Sequence, residues 1–496
     1  MSLPASSARV RNWMRRIDHV HFVGIGGVGM GGIAEVMVNL GYSVTGSDMS
    51  RNALVERLEK LGAKVYPTHD ANNVNGVDVV VVSSAIAADN PEVMAARDGR
   101  IPVIRRAEML GELMRFKQGI AVAGTHGKTT TTSLIASLLS EGGMDPTYVI
   151  GGKLNSSSTN AYLGQSEWLV AEADESDASF LSLQPVIAIV TNVDADHLSS
   201  YENDFERLKQ AFVDFLQHLP FYGLAVMCTD DETVRELVER VARPVMTYGF
   251  DGDADVVGLN FRQEQMKSSF DVRLPDGSEI RQITLNLPGI HNARNALAAV
   301  AVGWELGLRA TNMRLAFQHF QGIGRRAQFV AELALPNGSA ELFDDYGHHP
   351  REVEATLTAI ASGRPDKRLV VVFQPHRYTR TRDLFDDFTD VLCAADVLVL
   401  CEVYPAGEQP ISGADGRALA RAIRQRGVLD PIFVAEVTSV AKTLCGILQD
   451  GDVVLTLGAG SIGAVAAALP EALSSEYEVQ QSGATPNAVE VEVGNV

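Results

Sequence analysis

The sequence predicts an α/β protein of three domains built on parallel sheets. Three observations carry this expectation. Three times an apolar, β-rich run ends in a glycine turn and passes into a helical pattern: HVHFVG into GIGGVGMGGIAEVMVNLG, GIAVAG into THGKTTTTSLIASLLSEGG, and the run DVVLTLGAGSIGAVAAAL. Between them lie short runs of the kind buried on both faces of a parallel sheet, VDVVVVSS, EWLVAEAD, VIAIVTNV, RLVVVFQP and DVLVLCEV. At 496 residues the chain is also too long for one ordinary core.

The first unit, residues 1–117, opens with a strand that runs into a G-x-G-x-x-G turn of Gly24, Gly26 and Gly29, with Gly27 between them. Asp48 ends the next strand, in GYSVTGSD, about where a dinucleotide fold binds a ribose. Taken alone, this fingerprint fits a nicotinamide dinucleotide as well as another diphosphate. The apolar stretch GGIAEVMVNL is expected to pack against the first sheet only. RFKQG, near residue 117, closes the unit.

The second unit, residues 118–324, carries AVAGTHGKTTTT. Gly124 and Gly127 let the backbone turn so that successive N–H groups, Thr125 among them, face an anion at a helix start. Lys128 would neutralise β- and γ-phosphate charge, and the Thr129 hydroxyl would ligate Mg²⁺, with Thr130 beside it. The loop is shorter than the standard one, because Val122 stands where its first glycine would be. Two further strand ends offer ligands: Glu172, Asp174 and Glu175 in EWLVAEADESD, and Asp194, Asp196 and His197 in VTNVDADHLSSY. Carboxyl ends of neighbouring parallel strands converge on one crevice, which brings these beside the loop. Oxygen ligands suit Mg²⁺, and Glu172 is the best candidate. His197 reads equally as a helix-start histidine bonded to backbone. Residues 251–287 alternate and contain an Asp-Gly turn, an antiparallel extension of this sheet.

The third unit, residues 325–473, begins after FQGIGRRAQF. The last stretch, 474–496, has no Lys or Arg and is expected to be a mobile tail. Composition is that of a globular protein, 46% apolar and 21% charged. With 42 basic against 62 acidic residues the net charge is −20, which argues against nucleic acid or an anionic membrane as partner, though not against a small anionic ligand. The four cysteines have no C-x-x-C spacing and read as free thiols of a reducing compartment. Without a membrane-length apolar run, a cytoplasmic enzyme is the expectation.

The loop GTHGKTTTT, the strand ends EADESD and NVDADH, the helix start LPGIHNARNALAA and the runs FDDYGHHP and QPHRYTRT together resemble the Mur ligase family of ATP-dependent amide-forming enzymes. The likeness covers nearly the whole chain before the tail. GIGGVGMGG, VVSSAI and RRAEML resemble the branch that joins L-alanine to UDP-N-acetylmuramate. The resemblance implies a Rossmann-like first domain for the UDP-sugar, a central ATP-binding domain with a phosphate loop, and a Rossmann-like third domain that closes over the site. It implies that ATP phosphorylates the muramyl lactate carboxylate and that L-alanine attacks the acyl phosphate. The first glycine loop would then hold the diphosphate of a UDP-sugar, the second the triphosphate of ATP.

Residue by residue, the resemblance implies Lys128 as the main phosphate cation, and Thr129, Glu172 and His197 as the Mg²⁺ site. Asn295 would reach the nucleotide from a helix start, with His291 and Asn292 near the adenine. Arg326 would contact phosphate and Asp345 ribose, from the third domain. Tyr346, His348, His376, Arg377 and Arg380 would line the amino-acid site, with an arginine on the carboxylate and one histidine taking the ammonium proton. A solvated basic loop is the other reading of Arg377 and Arg380. Gly26, Gly27, Gly29, Asp48, Ser83, Ser84 and Arg106 would meet the UDP-sugar, joined by Glu175 and Asp177. Several relatives carry a carbamylated lysine after their counterpart of DADHLSSY. That place falls at Phe212 here, with Lys209 one turn earlier, so none is expected. The competing readings are a ligase that attaches a tripeptide to the same UDP-sugar, a folate-polyglutamating relative, a nicotinamide-dependent oxidoreductase with an ATPase module, and a non-catalytic nucleotide-binding regulator.

Overall fold

The computed structural model describes residues 14–83, 85–155 and 159–482, and Ser84 lies outside them. The first sheet contains β1 (His19–Val23), β2 (Ser43–Ser47), β3 (Lys64–Tyr66), β4 (Val79–Val82) and β5 (Val103–Arg105), ordered β3-β2-β1-β4-β5 and parallel throughout. The chain reverses direction across the sheet between β1 and β4. The crevice at that switch point opens where the glycine turn follows β1.

The middle sheet holds β6 (Gln118–Ala123), β7 (Thr147–Leu154), β8 (Thr159–Tyr162), β9 (Trp168–Glu172), β10 (Ile187–Val190), β11 (Leu224–Cys228), β12 (Val245–Gly249), β13 (Val256–Glu264), β14 (Lys267–Arg273) and β15 (Glu279–Leu285). Their order is β15-β14-β13-β12-β11-β10-β6-β9-β7-β8. β6 is thus flanked by β9 and β10, both parallel to it. The 251–287 segment forms the antiparallel β13–β14–β15 edge, with Asp276 and Gly277 in the turn. β7 and β8 add an antiparallel pair at the other edge.

GGIAEVMVNL does not pack against the first sheet alone. The helix Val28–Asn39 is wedged between that sheet and the β7–β8 edge of the middle one, so Met30 and Ile33 share one core with Val149 and Ala161. Gly32 makes this close approach possible, since a Cβ there would lie 3.2 Å from that of Ala161. Asn160 Nδ2 adds a bond to the Val28 carbonyl at 2.8 Å.

The third sheet has β16 (Gln328–Leu335), β17 (Gly338–Asp345), β18 (Leu369–Phe373), β19 (Val397–Cys401), β20 (Ile432–Val434) and β21 (Val453–Leu457), ordered β16-β17-β21-β18-β19-β20. All pairs are parallel except the β16–β17 hairpin. The expected mobile tail starts too early: the helix Ile462–Ser482 runs through its first nine residues, and Tyr477 packs against the Leu469–Leu473 face of the core. Residues 483–496 lie outside the described structure. Among the described residues no helix is long and apolar enough to cross a membrane.

Candidate active site

The second glycine loop, the expected phosphate loop, follows β6. Gly124 and Gly127 have φ of +127° and +82°, a region that favours glycine, and each is crowded: a Cβ on Gly127 would sit 2.7 Å from Asn295 Oδ1. The helix Lys128–Glu141 starts directly after Gly127, its first-turn N–H groups facing the cleft. Lys128 Nζ folds back over the loop, donating to the carbonyls of Gly124 at 2.6 Å and Thr125 at 3.0 Å and to both Glu175 oxygens at 2.9 Å. Burial works against its charge, but Glu175, Asp174 and Glu172 outweigh it and hold the ammonium above the ordinary lysine value. Burial, opposed by Lys128, pushes Glu175 up to about 7.

Glu175 was expected at the sugar. Instead it is the buried partner of Lys128, because the chain after β9 turns its side chain inward and Tyr201 Oη holds its carbonyl at 2.5 Å. The neighbouring Asp174 faces the first domain, 3.8 Å from Arg106 Nη2. Arg106 in turn lies over the first glycine turn, 2.9 Å from where a Cβ on Gly29 would be. Asp177 lies in the same segment and accepts from the Ser179 N–H at 3.0 Å. In the first turn Gly27 is exposed, whereas Asp48 is committed to the loop itself: it accepts from the Gly26 N–H and the Ser50 N–H, both at 2.8 Å. Ser83 closes the far side of the turn near Gly24.

The cation site expected at Thr129 and Glu172 passes a chemical test. Glu172 ends β9 beside the loop, accepts from the Gly151 N–H at 2.6 Å, and is pushed up by burial, while a hydrogen bond to Thr129 draws it down. A half-buried carboxylate and a hydroxyl, both oxygen donors, suit a hard divalent cation. His197 follows β10 with φ of +56°, its Nε2 3.5 Å from Asp196 Oδ2. Burial, then Arg380 and Lys128, lower its pKa and favour the neutral ring, the form that ligates. Lys209 belongs to neither site: its ammonium pairs with Glu206 and with Glu236, and Phe212 is core.

A cavity of about 320 Å³ opens beside the loop, lined by Gly127, His291, Asn292, Asn295, Arg326 and Asp345. Asn292 Nδ2 is engaged with the Pro288 carbonyl at 2.7 Å, ordinary helix-start bonding. His291 is half-buried, and desolvation holds it down to about 4. Asp345 lines the cavity, yet its oxygens already accept from the Ala327 and Gly347 N–H groups, both at 2.7 Å. Its carboxylate shapes the junction into the third domain, and burial raises it to about 6. Arg326 stands over the Tyr346 ring at 5.6 Å.

The third-domain residues gather where β17 and β18 end. His348 and His376 rings are 5.7 Å apart, and His376 stacks on Tyr404. Burial holds His348 down to about 4 and His376 to about 3, with Arg380 adding to both, so both are neutral rings. Arg377 is exposed and holds φ of +70°, fixed by its N–H to the Tyr404 carbonyl at 2.9 Å. Arg380 is buried, not solvated. It reaches His376 Nδ1 at 3.5 Å and, across the domain seam, Asp196 Oδ2 at 3.4 Å.

Sequence reasoning missed a second layer along that seam. His126, inside the phosphate loop, has Nδ1 3.3 Å from Glu352 and Nε2 3.3 Å from Asp194. Arg351 Nη1 reaches the other Asp194 oxygen at 2.8 Å. Burial opposes a charge on His126, but the two carboxylates win and raise it to about 9. The signal was in the chain: H-H-P-R-E has the spacing of a helix start with an acidic third position, and His349 and Glu352 form that capping box. The third glycine turn, after β21, is filled by neighbouring side chains. Gln374 Oε1 accepts from the Ile462 N–H at 3.0 Å and Tyr404 fills the space over Gly460.

Family models match the chain in three consecutive pieces. These are the catalytic domain of the Mur ligase family over residues 19–118, the Mur ligase middle domain over 122–303, and the Mur ligase glutamate ligase domain over 325–460. Among solved structures, the chain is similar to UDP-N-acetylmuramate-alanine ligase MurC of Thermotoga maritima, with 29% identity, a TM-score of 0.76, and coverage of 94% of this chain and 99% of that one. It is similar in fold to a murein peptide ligase of Psychrobacter arcticus at 24% identity and a TM-score of 0.67, covering 92% and 98%. It also shares its fold with a MurF ligase of Thermotoga maritima in complex with ADP, at 17% identity and a TM-score of 0.58, covering 88% and 96%.

Proposed function

This chain belongs to the Mur ligase family, and on that premise we propose that it joins L-alanine to the lactyl carboxylate of UDP-N-acetylmuramate at the expense of ATP, forming a peptidoglycan precursor. One observation carries the reading. Asp174 lies between Arg106 of the first domain and Lys128 of the phosphate loop, while the adjacent strand end meets Arg380 of the third domain. Three substrates could therefore meet at one point.

The first glycine turn and Arg106 hold the UDP diphosphate and aim the sugar at the phosphate loop. The loop N–H groups and Lys128 grip the triphosphate and compensate charge as the γ-phosphoryl group passes to the carboxylate. To do so Lys128 exchanges Glu175 for phosphate. Thr129 and Glu172, with His197 beside them, would hold Mg²⁺, which would supply further charge neutralisation there. Asn295, His291 and Arg326 place the nucleotide in the cavity. Arg380 or Arg377 takes the alanine carboxylate, and His348 or His376, each neutral, accepts a proton from the attacking amine. The amine displaces phosphate from the acyl carbon, and ADP and phosphate leave.

The test is phosphate release from ATP with Mg²⁺ and UDP-N-acetylmuramate, with and without L-alanine, repeated on Lys128→Ala. Release should need both substrates and fall by roughly a thousandfold in the variant. Turnover with a muramyl tripeptide in place of L-alanine would reassign the acceptor. No turnover with any amine would sink the ligase reading.

A further inference from the structure

We propose that His126, Asp194 and His349 form a site for one borderline transition-metal ion of the Zn²⁺ class, at the seam between the middle and third domains and separate from the oxygen-donor site at Thr129 and Glu172. One donor atom from each residue lies within 4.8 Å of the others. Asp194 and His349 are 7% and 6% exposed. The three come from three places in the fold: the phosphate loop, the end of β10, and the cap of the helix Pro350–Gly363.

The geometry resembles a coordination shell more than a hydrogen bond. His126 Nε2 and Asp194 Oδ2 are both buried and have no hydrogen-bond partner, yet stand 3.3 Å apart. Two ligands each about 2.0–2.1 Å from a tetrahedral zinc ion are about 3.3–3.4 Å apart. The outer shell is also in place. The far nitrogen of His126 meets the Glu352 carboxylate at 3.3 Å, the arrangement that orients a ligating imidazole. Arg351 engages the other Asp194 oxygen, which leaves Oδ2 for an ion. His349 Nδ1 accepts from the Arg351 N–H at 3.4 Å, which leaves Nε2.

Two imidazoles and one carboxylate select zinc-like ions over Mg²⁺, which prefers oxygen and keeps its waters. Three protein ligands leave a fourth position for water or an anion. An ion here ties His126 of the phosphate loop to the third domain. It would hold the domains closed and inhibit turnover in a way that excess Mg²⁺ does not relieve.

The test titrates the metal-free, full-length protein with Co²⁺ and then Zn²⁺ in excess Mg²⁺, reading visible absorption of the bound Co²⁺ and stoichiometry by elemental analysis. One equivalent with tetrahedral-type absorption, displaced by Zn²⁺ and not by Mg²⁺, is expected. His126→Asn and His349→Asn, the latter keeping a capping side chain, should each weaken uptake by roughly a hundredfold or more, and Glu352→Gln by about 10–100-fold. Glu172→Gln should leave it unchanged, and circular dichroism checks that each variant is folded. If the 3.3 Å contact is only an ion pair, no Co²⁺ is taken up. That result, or uptake that survives both histidine variants, overturns the site.

Discussion

Lys128 and Glu175 show how a single contact redirects a residue's reading. Glu175, three places beyond the expected metal ligand Glu172, was expected at the sugar, but its carboxylate closes on Lys128, the expected phosphate cation. His348 and His376 make a sharper case. Burial holds them near 4 and near 3, so both rings are neutral from about pH 5 upward. A lowered histidine pKa means the proton-accepting form is present above that value and lost only below it. Neither ring should then supply an acid limb near neutrality. We expect kcat/KM for the amino acid to rise with pH as the amine itself deprotonates. His376→Gln should lower the rate without moving that limb. A limb at pH 6–7 that vanishes in the variant would refute the assignment.

At the scale of elements, the helix Val28–Asn39 ties the first two domains together. Its sequence reads as a glycine turn passing into a helical pattern, and Gly32 within it lets β8 approach. Gly32→Val must push Ala161 and Asn160 aside, an overpacking cost of about 1–3 kcal/mol. The expected result is a lower melting temperature and faster proteolysis between the first and middle domains. Unchanged melting would mean that the interface is slack. The apolar runs became strands, because runs of four or five apolar residues, most of them β-branched and buried on both faces, fit little else. The β7–β8 pair and the β16–β17 hairpin were less legible: Asn337-Gly338 marks the turn of the second, but its strands do not alternate cleanly between buried and exposed residues, and the first has no Asn-Gly signal.

Over the whole molecule, the middle and third domains meet through charges: Arg380 with Asp196, Arg351 with Asp194, and His126 with Glu352. Breaking a buried pair leaves one charge uncompensated, on the order of 3 kcal/mol. Asp196→Asn should therefore shift the closed population by more than tenfold, seen as a larger radius of gyration in solution scattering. UDP-sugar affinity, which the proposed function assigns to the first domain, should hold. An unchanged radius would show that closure does not depend on this pair.

The sequence by itself determined the α/β class, the glycine loop that leads into the helix at Lys128, and the adjacency of the strand ends bearing Glu172 and His197. Each follows from local pattern or from the rule that parallel strand ends share a crevice. Only tertiary structure decided that Glu175 pairs with Lys128, that Asp48 and Asp345 hold backbone, and that His126 meets Asp194 and Glu352. Those contacts join residues as much as 226 positions apart. Side-chain direction and domain docking set them, and no periodicity in one segment encodes where another segment will arrive.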